Sequence, residues 1–103
     1  MLAQFDEVVM VDFNSVDAAG ASAAPVVSLM PPCIRQSPKL KVVVVDSARC
    51  AQLYGRSCEG RFFEPMARAI GVRHASGDVV VSTNPEIVVP WRSTLDRIVA
   101  EHI

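Results

Sequence analysis

The chain predicts an α/β domain: a three-layer, mostly parallel sheet flanked by helices, Rossmann-like but incomplete. Three observations carry that expectation. Three β-rich runs, Glu7 to Asp12, Leu40 to Asp46 and Asp78 to Thr83, recur at fairly even intervals. Each is apolar without alternation, with Val8 to Val11 contiguous, four valines at 42–45 and three at 79–81. Continuous hydrophobicity is the pattern of strands covered on both faces, as in parallel sheets layered by helices. The runs are also followed by enough residues to cross back over a sheet, as a βαβ unit requires.

The elements follow in order. Between the first two runs, Asp17 to Ala24 is small and polar, and Ala24 to Met30 reads as a short helix with proline in its first turn or, over Val26 to Met30, as an extended segment. Pro31-Pro32 would stop such a helix. After the second run, Ser47 to Arg61 holds Gly55 and Gly60 and reads as a long surface loop. Glu64-Pro65 opens a helix whose Met66, Ala69, Ile70 and Arg73 share neighbouring turns, and Ser76-Gly77 closes it. A last helix, Arg92 to His102, sets Leu95, Ile98, Val99 and His102 or Ile103 on one stripe. The order is βαβ, loop, αβα.

Composition narrows the function classes. At 103 residues the chain is a single domain, residues 1–103, of a size that buries about two-thirds of its unfolded surface. Half of the residues are apolar and the net charge is −1, which argues against a nucleic-acid footprint and against disorder. Met1 to Asp6 lacks the basic and apolar regions of a signal peptide, and no apolar run is long enough to span a bilayer. Cys33, Cys50 and Cys58 are odd in number and lack CxxC spacing, the pattern of reduced, packed thiols. These features predict a soluble, cytoplasmic protein without a transmembrane segment.

Candidate chemistry gathers at the carboxyl ends of the β-rich runs, where open α/β sheets present groups to ligands. The first run delivers Asp12, Asn14 and Ser15. Asp12 has the acceptor oxygens for a base or ribose, although Asx and Ser side chains also close turns on their own backbone. The third run delivers Asn84-Pro85-Glu86. A hard cation such as Mg²⁺ needs only one or two protein carboxylates when phosphates and water complete its shell, so Glu86 with Asn84 is a candidate metal site, although Asn-Pro also initiates turns. Arg68 and Arg73 carry guanidinium forks suited to phosphate oxygens. His74 and His102 are the neutral-pH proton acceptors in the chain, and both read as surface or capping residues. Trp91 suits either stacking on a sugar or packing of the last helix.

These segments, taken together, resemble the nucleotide-sugar half of the inverting glycosyltransferases of family 2, of glycosyltransferase-A fold. The strand and Asp-containing turn of that family resemble Asp6 to Ser15. Its Ala-x-Asn-x-Gly-Ile-x-x-Ala-x-Gly-Asp helix resembles Ala67 to Asp78, with Ala69 where Asn is usual. Its acidic metal motif resembles Val79 to Glu86, with Asn84 in place of the first Asp and Glu86 as the remaining carboxylate.

The resemblance implies a domain that binds a nucleoside-diphosphate sugar through Asp12, Asn14, Ser15, Arg68 and Arg73. It also implies a divalent metal, Mg²⁺ or Mn²⁺, at Asn84 and Glu86. The family's opening strand and acceptor half have no counterpart in the 103 residues, so the expectation is a truncated domain, inactive alone and without an identifiable catalytic residue. In that fold the opening strand lies between strands resembling Glu7 to Asp12 and Asp78 to Thr83, so two sheet edges would stand open to a homo-oligomer or a completing chain. The alternative is a non-catalytic Rossmann-like binding or assembly module. A third reading, a phosphoacceptor domain on Asp12 or Asp46, lacks a lysine at the end of the late strand.

Overall fold

The computed structural model describes residues 4–15, 26–55, 63–84 and 87–102. They form an α/β arrangement of two parallel strands and four helices: β1 (Val8–Phe13), α1 (Pro32–Arg35), β2 (Leu40–Val45), α2 (Ser47–Tyr54), α3 (Glu64–His74) and α4 (Arg92–His102), with a 3₁₀ turn at Val26–Leu29. β1 and β2 pair in register from Val8 with Leu40 to Phe13 with Val45. The first two β-rich runs are therefore strands side by side and in one direction, as the sequence predicts.

Side chains alternate between the faces of a strand, and the two faces of this sheet are treated differently. Val11 and Phe13 share a face with their partners Val43 and Val45, and on it lies the core of Phe13, Val45, Cys50 and Ala67. Phe63, Met66 and Ile70 pack against that core, and Phe13 meets Phe63 edge to face with ring centroids 6.3 Å apart. Both α2, through Cys50, and α3, through Ala67, thus cover the same side. α3 lies close on β1 at Gly71, where an added Cβ would come within 3.4 Å of Val11 Cγ2, the edge of ordinary contact. The opposite face meets the 3₁₀ turn, whose Val26 N–H reaches Asp12. There Val44 is 46% exposed, so the unbroken valine run of β2 is covered on one face and open on the other.

Several expectations are corrected. Asp78 to Thr83 does not form a strand: it follows α3 as irregular chain, and Val79, Val80 and Val81 are 47%, 44% and 47% exposed. β propensity alone does not hold a strand without a ladder partner, and the described sheet has only the order β1-β2. Ser47 to Tyr54 is helix rather than loop. Asp46 caps it by accepting the Arg49 N–H at 2.7 Å, and Gly55 ends it at φ 80°, a left-handed terminus that glycine adopts without steric cost. Gly55 therefore marks a helix end, not a loop. Beyond it, residues 56–61 of the expected loop, Gly60 and Cys58 among them, lie outside the described residues. Pro31-Pro32 follows the end of the 3₁₀ turn Val26–Leu29, where the sequence places a helix stop, and it also starts a helix, since Pro32 sits at the first position of α1.

The faces of the later helices also differ from the pattern. In α3 the covered stripe is Met66, Ala67, Ile70 and Gly71, while Ala69 and Arg73 are exposed. In α4 Leu95 and Val99 are half-buried, but Ile98 and His102 are exposed. Polar contacts also tie that helix to residues preceding β1. Arg92 N–H donates to Gln4 Oε1 at 2.8 Å, its Nη1 donates to the Gln4 carbonyl at 2.9 Å, and its Nε pairs with Asp96 at 2.8 Å. Cys50 is fully buried and disulfide-bonded, whereas Cys33 is an exposed free thiol. An odd cysteine count does not exclude a disulfide. Among the described residues no helix is long and apolar enough to cross a membrane.

Candidate functional site

A groove of about 1420 Å³ runs along the whole of β1. At its carboxyl end it is lined by Asp12, Ser15, Glu64, Arg68, Ser82 and Asn84. Four of these, Asp12, Ser15, Arg68 and Asn84, are site residues predicted from sequence, and they arrive from three parts of the chain. Asp12 and Ser15 come from the end of β1. Arg68 comes from the second turn of α3, and Asn84 from the segment after it.

Asp12 is 6% exposed and holds the turn that follows β1. Its Oδ1 accepts the Ser15 hydroxyl in a short contact, and its Oδ2 accepts the Val26 N–H at 2.8 Å. The carboxylate therefore bridges the end of β1 to the 3₁₀ turn. A carboxylate has about four lone-pair directions, so acceptor capacity remains toward the groove. Asn14 is 4% exposed, sits at φ 55°, and continues the ladder by donating its N–H to the Val45 carbonyl at 2.6 Å. Asparagine is among the few non-glycine residues that adopt this left-handed conformation readily. Its Oδ1 accepts the Ser47 hydroxyl at 2.6 Å, which ties the end of β1 to the start of α2. Asn14 does not line the groove; it fixes the end of β1 against β2 and α2.

Arg68 is the organising cation. Its Nε and Nη2 donate to Glu64 Oε1 at 3.0 and 2.7 Å, its Nη1 to Ser82 Oγ at 2.7 Å, and its Nη2 to Asn84 Oδ1 at 2.5 Å. A guanidinium has five N–H donors, so among the described residues one is left for a ligand. The Glu64–Arg68 spacing was readable as a helical i,i+4 pair; nothing in the sequence signals that Ser82 would join them.

The remaining predicted residues fare differently. Arg73 is exposed near the end of α3 and does not line the groove. Glu86, with Pro85, lies outside the described residues. The Oδ1 of Asn84 is committed to Arg68, and the described residues contain no group of three or more His, Cys, Asp or Glu able to hold a metal. His74 is exposed at the end of α3, its Nδ1 2.9 Å from the Ile70 carbonyl, and its own carbonyl accepts Lys41 Nζ at 2.8 Å; this is a capping role. Trp91 is 75% exposed, and its carbonyl accepts the N–H groups of Thr94 and Leu95 in the first turn of α4. No family model matches the sequence, and no curated protein or solved structure matches it.

Proposed function

We propose that this chain binds the diphosphate of a nucleoside-diphosphate sugar at the carboxyl end of β1, as the donor-binding part of a family 2-like glycosyltransferase. The observation that supports the reading is the convergence of Asp12, Ser15, Arg68 and Asn84 on one groove at the ligand-facing edge of a parallel α/β pair. In this proposal the spare lone pairs of Asp12 accept a hydrogen bond from the base or ribose. Arg68 offers its remaining N–H to a phosphate oxygen and exchanges Asn84 for a second one, a charge-assisted contact of the stronger kind. A divalent ion belongs to the same proposal, held by Glu86 and by Asn84 once Arg68 has turned to phosphate; when bound, it would offset charge on the departing diphosphate.

Thermal denaturation with uridine or guanosine diphosphate, with and without Mn²⁺, tests the reading. At one hundred times Kd, a ligand specific for the folded state stabilises by about 2.7 kcal/mol, a rise in Tm on the order of 10 °C for a domain of this size. Arg68→Ala is expected to abolish the rise, and Glu86→Ala to abolish its Mn²⁺-dependent part. No rise with either nucleotide would refute the donor-site reading.

A further inference from the structure

The groove does not stop at the polar end. It is lined by every residue of β1 but by Leu40 alone of β2, so it lies along the edge of β1 that β2 leaves open. The phase of the backbone locates that edge. Val8 N–H donates to the Lys39 carbonyl at 2.9 Å, and Asn14 N–H to the Val45 carbonyl at 2.6 Å. Even-numbered residues of β1 therefore turn their backbone groups to β2, and the alternation of a strand turns those of Val9 and Val11 the other way. Among the described residues nothing pairs with them.

The walls of the groove are apolar on both sides of that edge. One is made by α3 and α4 through Ala67, Gly71, Leu95 and Val99, and another by Val26, Met30 and Ile34. The far side is the irregular, half-exposed run Val79 to Val81. Size fits as well. At ordinary sheet spacings a strand residue fills roughly 160 Å³, so a strand of six residues along β1 fits within the 1420 Å³ available. The surface of the whole chain points the same way. It exposes 7388 Å² for 11.1 kDa, where a folded chain of that mass exposes roughly 5,700 Å². The excess is about twice the ~800 Å² that each partner of a standard interface covers.

We infer that this groove is a receptor for a β-strand from another polypeptide: an extended segment of about six residues, apolar on both faces, that pairs with Val9 and Val11 of β1 and is covered by α3 on one side. This is strand addition to an exposed sheet edge, and both backbone rows of the incoming segment lie between β1 and Val79 to Val81. It stands apart from the donor-site reading, because it needs no ligand at Asp12 or Arg68.

The probe is a labelled peptide of about six alternating valines and isoleucines with lysines at each end for solubility, read by amide hydrogen exchange of the full chain. The expected result is at least tenfold slower exchange at Val9 and Val11 with the peptide, and no change with the same peptide N-methylated throughout. Val80→Asp, on a half-exposed side chain, is expected to weaken binding at least tenfold with an unchanged circular dichroism spectrum. Unchanged exchange at Val9 and Val11 overturns the inference. So does full protection of both amides without peptide: in a monomer it means that the edge is closed from within, and in a dimer found by sedimentation it means that a second copy occupies it. The exchange measurement needs no variant, so it decides the matter even if Val80→Asp fails to fold.

Discussion

Glu7 sits just before β1 and ties three segments together. Its carboxylate pairs with Lys41 Nζ at 2.8 Å and accepts both the backbone N–H and the hydroxyl of Ser76, at 2.8 and 3.0 Å. The Lys41 hydrogen bond, with those from Ser76, lowers its pKa from 4.5 to about 2. Between those values the unfolded chain takes up a proton that the folded chain does not, so stability rises with pH across the window. The contribution of Glu7 is complete above about 4.5 and is lost as pH falls toward 2. Comparing urea midpoints of the native chain and Glu7→Gln from pH 5.5 to 2 isolates the effect. The two curves are expected to differ most above pH 4.5 and to converge near pH 2, and parallel curves would remove Glu7 from this role. Neither Glu7 nor Ser76 stands out in the sequence, because their meeting depends on where the chain goes after α3. Asp12 stands out in the sequence by its strand-end position and Arg68 only by its guanidinium, since it lies on α3; Glu64 and Ser82, which hold Arg68 in place, gain their role only from contact.

Among the elements, α2 shows how a local rule was present and misread. Asp46 and Gly55 bracket Ser47–Tyr54 as cap residues at the two ends of the helix, yet glycine in a polar stretch is also the commonest loop signal. Asp46→Ala is expected to cost about 1 kcal/mol through the lost cap, and Gly55→Ala roughly 1 kcal/mol through its left-handed conformation. The sites lie at opposite ends of the helix, so the double variant should approach the sum. Urea denaturation gives the values, and a Gly55→Ala chain as stable as the native one would show that α2 does not end there. β1 and β2 were predicted correctly because their apolar runs find each other in the described chain. The equally valine-rich Val79 to Val81 was not, because a strand is a relation to a neighbour and no described segment stands beside it. The same cause explains the faces of the helices. α3 buries its stripe because β1 lies under it, while Ile98 of α4 has the right spacing and is left 46% exposed.

At the scale of the whole molecule, these local features add up to a fold with more apolar surface than core. Among the described residues four hydrophobic ones are buried, Phe13, Val45, Cys50 and Ala67, while side chains as large as Leu29, Val88 and Trp91 are 81%, 91% and 75% exposed. The radius of gyration is 15.4 Å, against about 13 Å for a compact chain of this length. A two-stranded sheet is marginal in water until further strands or packed helices cover it, and here helices cover one face of β2. The isolated chain is therefore expected to unfold with a free energy below about 5 kcal/mol, the lower end of the range for domains, and with a shallow dependence on urea, because that slope follows the area newly exposed. Equilibrium unfolding over a hundredfold range of protein concentration checks this. A free energy near 10 kcal/mol with a midpoint independent of concentration would mean that the apolar surface contributes to a core of its own. A midpoint that climbs with concentration is the mass-action signature of association in the folded state, and it would identify copies of this chain as what covers the exposed valines.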